Sequence, residues 1–144
     1  MSDRGASLPQ LPVMTYERLL EKVRYEAAYP TRERAEEAVR LVLSGLGGQL
    51  TGDERRELAA RLPREAARVL TAQHPAASSL TGWAFVKDLA ARSNAPLATT
   101  RWDTGCVLAT VADVAGPDLL TRLLRRLPSG YALLFGRAEL IQAA

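Results

Sequence analysis

The sequence predicts an all-helical fold: two tandem copies of a four-helix unit packed into one globular helical bundle. Three observations point to it. Apolar residues make up 47% of the chain but aromatics only 6%. Leu and Ala must then do most of the packing, which suits helices better than strands rich in β-branched and aromatic residues. Apolar positions recur at steps of three and four. Helix breakers and caps also recur, at an offset of 65 or 66 residues, as from Pro63 to Pro128 and from Pro30 to Pro96.

Residues 1–13, rich in Ser, Gly and Pro, read as a flexible N-terminal tail. The first unit spans 14–71. Its first helix starts at the capping residue Thr15 and carries Tyr16, Leu19, Leu20, Val23 and Ala27 on one face. Pro30 ends it and Thr31 caps the second helix, with Ala35, Val39, Val42, Leu43 and Leu46 as its stripe. Gly45, Gly47 and Gly48 read as its stop. Thr51 with Glu54 has the spacing of a capping box for the third helix, whose inner face is Leu58, Ala59 and Leu62. Pro63 separates it from a short fourth helix with Ala66, Val69 and Leu70 inward.

Residues 72–80 (AQHPAASSL) read as a linker. The second unit spans 81–137. Its first helix carries Phe85, Val86, Leu89 and Ala90 and is interrupted at Asn94-Ala95-Pro96. The next, near Thr99 to Val114, is apolar almost all round, with Trp102, Cys106, Val107, Leu108, Val111 and Ala112, and is expected at the centre. Gly116 and Pro117 open a helix with Leu119, Leu120, Leu123, Leu124 and Leu127. After Pro128 comes a short helix with Tyr131, Leu134 and Phe135. Residues 138–144 read as a C-terminal tail or short helix.

Arg61-Leu62-Pro63 matches Arg126-Leu127-Pro128, and Thr51-Gly52-Asp53 matches Gly116-Pro117-Asp118. One such unit of short helices would bury its apolar face poorly by itself, so a shared core between the copies is expected.

The elements Tyr16-x-x-Leu19-x-x-x-Val23, then Glu33-Arg34-Ala35-Glu36-Glu37-Ala38-Val39, then Leu50-Thr51-Gly52-x-Glu54 running on to Leu58-Ala59-x-x-Leu62-Pro63, resemble the bacterial family called domain of unknown function 2267. The close Leu127-Pro128-Ser129-Gly130-Tyr131-x-x-Leu134-Phe135 resembles the end of the same family. The resemblance covers about residues 14–136. It implies a helical fold and a bacterial cytosol, and it supplies no catalytic residues. The stretch Trp102 to Ala115 departs from it, since an apolar helix stands where the family has an acidic one.

Net charge is +3, nearly balanced in both halves and without a polybasic run. The one cysteine, Cys106, cannot form an internal disulfide or a cysteine-based metal site alone. A reducing, cytoplasmic location is expected. Residues 1–12 lack the apolar run of a signal peptide, and no segment approaches a membrane span.

The candidate chemistry is sparse. Cys106 reads as a small buried hydrophobe rather than a nucleophile. His74, the only histidine, reads as a loop residue. The carboxylates Glu33, Glu36, Glu37, Asp53, Glu54 and Glu57 are interleaved with arginines and read as solvated helix faces with ion pairs. Trp83 and Trp102 read as core packing rather than a stacking site. Gly47-Gly48 lacks the Lys-Ser/Thr of a phosphate loop. The best contact candidates are Arg122, Arg125 and Arg126, which project away from the leucine stripe, with Arg101 and Arg137 nearby in kind. They would meet phosphate or an acidic partner.

The expectation is a non-enzymatic, cytosolic helical interaction or regulatory module without a cofactor. Its partner is another protein or a second copy, with Leu140 and Ile141 available to an interface. One alternative is a weak nucleic-acid binder using Arg122, Arg125 and Arg126. A second is a small-ligand carrier with a pocket between the copies.

Overall fold

The structure, a computed structural model, describes residues 13–137. The expected N-terminal tail up to residue 12, the C-terminal tail or helix, and Leu140 and Ile141 lie outside the described residues.

The described chain is all-helical: α1 (Tyr16–Ala27), α2 (Arg32–Gln49), α3 (Gly52–Arg61), α4 (Arg64–Thr71), α5 (Gly82–Ser93), α6 (Leu97–Arg126) and α7 (Tyr131–Leu134). Caps set several boundaries as the sequence predicts. The Thr15 hydroxyl accepts from Arg18 N and the Thr81 hydroxyl from Ala84 N, each at 3.2 Å. At the other ends of α1 and α5, Ala28 and Asn94 both turn left-handed, at φ 58° and 54°. α6 is broken at Gly116, whose φ of 81° lies outside the helical range, and the second limb restarts at Pro117. Proline lacks only an N–H that a first helical position leaves unbonded anyway.

α2 and α6 form the centre. α2 packs against α1, α4, α5 and α6, and α6 against α1, α2, α3, α5 and α7. Between them lies one apolar core, with Val42, Leu43, Leu46, Leu58, Leu70, Phe85, Leu108, Leu119 and Phe135 fully buried.

Two local expectations change. The glycines read as the stop of the second helix lie inside it, because α2 runs on to Gln49. They serve packing. A methyl at Gly45 would stand 2.7 Å from Leu89 of α5, and one at Gly47 would overlap the Leu70 carbonyl of α4. The bare backbone there lets neighbouring helices approach. The capping box at α3 does not form either: Thr51 makes no side-chain cap bond, and Gly52 takes a φ of 67°. Glu54 turns inward instead and is 9% exposed.

Candidate functional site

The turn between α1 and α2 meets the first limb of α6 around a buried charge that the periodicity did not announce. Asp103 is 5% exposed. The Tyr29 hydroxyl donates to its Oδ1, and Arg34 Nη2 donates to its Oδ2 at 2.7 Å. The Arg34 guanidinium also lies over the Tyr29 ring, 4.7 Å from its centroid. Burial, then the bond to Asp103, pushes the Tyr29 hydroxyl up, and Asp103 raises Arg34. The pairing is what makes an interior carboxylate tolerable, since an unpaired buried charge is costly. Thr100 and Thr104 on the same inner face satisfy their hydroxyls on carbonyls one turn back.

Because Asp103 faces inward, Trp102 faces out. It is 54% exposed, and Trp83 is 60% exposed; the expectation that both pack in the core is corrected here. One residue along a helix is a rotation of about 100°, so the buried charge beside it carries Trp102 to the surface. Its indole N–H donates to the Ala27 carbonyl at 3.1 Å. The ring is therefore tethered across α1 and α6, while its faces remain open.

A cleft lies on each side of Trp102, and each has a volume of about 520 Å³. The first is lined by Tyr29, Pro30, Arg34, Thr99 and Asp103. The second runs along α6 past Ala98, Gly105, Cys106 and Ala109, with Glu26 and Arg101 on its edges. Both lie where α1 and the α1–α2 turn meet α6. Cys106 is half-buried there, not enclosed in the core as expected. Burial pushes its thiol up, with Asp103 and Glu26 adding to the effect. A nucleophilic thiol needs the opposite shift. His74 is exposed in the segment between α4 and α5.

Two of the three candidate arginines are engaged within the chain. Arg122 forks onto Glu57 of α3, with bonds of 2.6 and 2.8 Å, and holds that carboxyl below its usual range. Glu57 also accepts from Arg61. Arg61 in turn donates to the Ala115 carbonyl at the break in α6. Arg126 Nε stands 3.5 Å from Glu54 Oε1, beside a polar cavity of about 160 Å³ that Ser78 and Ser79 also line. Arg125 is exposed and has no ion-pair partner among the described residues. Arg137 donates to the Phe135 carbonyl. Arg122 and Arg126 thus tie α6 to α3. The carboxylate faces carry the expected Arg40–Glu36 and Arg61–Glu57 pairs one turn apart; Glu54, expected on a solvated face, is buried instead.

Sequence reasoning missed Tyr29, Arg34 and Asp103 as a unit. Asp103 sits 74 residues from Tyr29 and 69 from Arg34. The only local signal was an acid next to a tryptophan in a mostly apolar stretch of helix.

The family described as "Uncharacterized conserved protein (DUF2267)" has a model that matches residues 16–134, from the first residue of α1 to the last of α7. The chain belongs to that family. No curated protein matches it.

Proposed function

We propose that this member of the DUF2267 family is a non-enzymatic helical interaction module, cytoplasmic and regulatory, that docks a protein partner on the face centred on Trp102. One observation carries the reading: a large aromatic ring, 54% exposed, is tethered by its N–H to Ala27 while clefts flank it. A held, exposed tryptophan beside hollows is the kind of anchor that dominates protein interfaces. Among the described residues no helix is long and apolar enough to cross a membrane, which fits a partner met in solution. The raised Cys106 thiol and the engaged Arg122 and Arg126 supply little for thiol chemistry or phosphate contact.

The duplicated four-helix unit is part of the same reading. It is supported by the matching threonine caps of α1 and α5, their common length of 12 residues and their left-handed ends. The interaction face lies where the first copy meets the second.

A photo-crosslinking amino acid in place of the exposed Ala98, in the cell that makes the protein, tests the proposal. A discrete adduct that disappears in Trp102→Ala is expected. No adduct, or one indifferent to Trp102, would refute it.

A further inference from the structure

The occupant of this face can be named from its charge pattern. The cleft along α6 has a floor of small residues, Ala98 and Ala109, with Gly105 between them under the Arg101 guanidinium, and a wall made by Trp102. Small side chains let a second helix approach closely, at an interaxial distance set by what stands at the contact. Its edges carry one charge of each sign: Glu26 from α1 and Arg101 from α6. Both are exposed. Neither has an ion-pair partner among the described residues, so they do not pair with each other across the cleft. Arg101 lies along its own helix instead, its Nη1 at 2.7 Å from where a Gly105 methyl would stand.

A surface with an apolar centre, a cation on one side and an anion on the other is complementary to itself. Rotated by 180° about an axis that lies in the face and runs perpendicular to the line from Glu26 to Arg101, it sets each cation against the other copy's anion. That is the arrangement a twofold interface requires, in which one patch meets its own copy. We infer that the Trp102 face docks a second copy of this chain about a twofold axis, with Arg101 of each protomer set against Glu26 of the other and the two Trp102 rings covered. The inference rests on the proposed interaction module and names its partner. The contact is small and helix-to-helix, so the dimer is a weak one, with a dissociation constant on the order of micromolar to tens of micromolar.

The experiment uses the full chain and two charge reversals, Arg101→Glu and Glu26→Arg. Both positions are exposed, so circular dichroism and the melting temperature should remain those of the parent. Sedimentation equilibrium at low salt should give a dimer for the parent chain. Each reversal alone sets like charges against each other at both contacts and should weaken association about tenfold or more. Mixed one to one, the two variants form heterodimers in which both contacts are attractive, and association should return to within about threefold of the parent. In a Trp83→Phe background, Trp102 emission should shift to the blue as concentration rises. Arg125→Glu, on the second limb, should leave association unchanged.

A parent chain monomeric up to about 500 µM overturns the inference, since that excludes the affinity range given. So does a dimer insensitive to either reversal, or a mixture that fails to recover. If the chain is monomeric yet the Ala98 adduct contains a different protein and depends on Trp102, the interaction module stands and the twofold partner falls. If no adduct forms, the module itself falls.

Discussion

Gly47 and Gly48 are neighbours in α2, and replacing each by alanine should move stability in opposite directions. Helix propensity alone favours alanine at both places by up to about 1 kcal/mol. At Gly48 the new methyl finds ordinary contact, 3.7 Å from the His74 carbonyl oxygen and 3.8 Å from the Ala76 side chain. Nothing offsets the propensity, so Gly48→Ala should stabilise by about 0.5–1 kcal/mol. At Gly47 the methyl would overlap the Leu70 carbonyl oxygen and stand 3.0 Å from its carbon. The obstacle is backbone, so no side chain can rotate away and α4 must move as a body. Overpacking of this kind costs about 1–3 kcal/mol. The movement also strains the Arg55 guanidinium, which binds the Gly47, Leu70 and Gln73 carbonyls together, at about 1 kcal/mol for each bond lost. After the propensity gain, Gly47→Ala should destabilise by about 2–3 kcal/mol. For a chain of this size that is a fall of roughly 6–10 °C in melting temperature, against a rise of about 2–3 °C for Gly48→Ala. Denaturant titration followed by circular dichroism measures both. If Gly47→Ala is as stable as the parent, or if the two variants shift together, the close approach of α2 and α4 is refuted.

Other outcomes follow from the same geometry. Asp103→Ala should cost about 2–4 kcal/mol in chemical denaturation, because Arg34 and Tyr29 lose their common partner, whereas Tyr29→Phe should cost only about 1 kcal/mol. Trp102→Ala should cost under about 1.5 kcal/mol and Phe85→Ala about 3–5 kcal/mol, since one ring is half in solvent and the other is fully buried. The Tyr16 hydroxyl is pushed up to about 12, first by burial and then by its bond to Glu36. A folded-state value above the unfolded one of about 10 means that stability is complete below pH 10 or so and declines from there towards pH 12. Melting curves of Tyr16→Phe should therefore show a smaller alkaline loss than the parent. Glu57 has the opposite sign. Arg122 holds it below its usual range, so its contribution is present above a pH of about 4.3 and is lost as the pH falls further. Acid titration of Arg122→Ala should lack that part of the loss.

Much of the fold is legible in the sequence because it is written in local terms. The stripes Leu19-Leu20-Val23 and Leu119-Leu120-Leu123 each lie on one helix face whatever surrounds them, and all six side chains are buried. Thr15, Thr31 and Thr81 cap helices through atoms three residues away. Pro117 follows the break at Gly116 for reasons internal to the backbone. The candidate site is different. Trp102 and Asp103 are adjacent on a helix whose residues are mostly apolar. Hydropathy alone assigns the tryptophan to the core and the acid to water. The reverse holds because Tyr29 and Arg34, brought in by the α1–α2 turn, offer Asp103 a hydroxyl and a guanidinium.

By itself, then, the sequence determined the helical class, most helix ends, the buried stripes and the break in α6, since each depends on residues within a turn or two of one another. Only the tertiary structure decided which way α6 is rotated and that Gly45 and Gly47 are crossing points rather than a stop. It alone also spent Arg122 and Arg126 on α3 and left Trp102 as the tethered ring at the surface. Those outcomes depend on partners tens of residues away, and the energy of a buried charge or a backbone contact is settled only when those partners arrive.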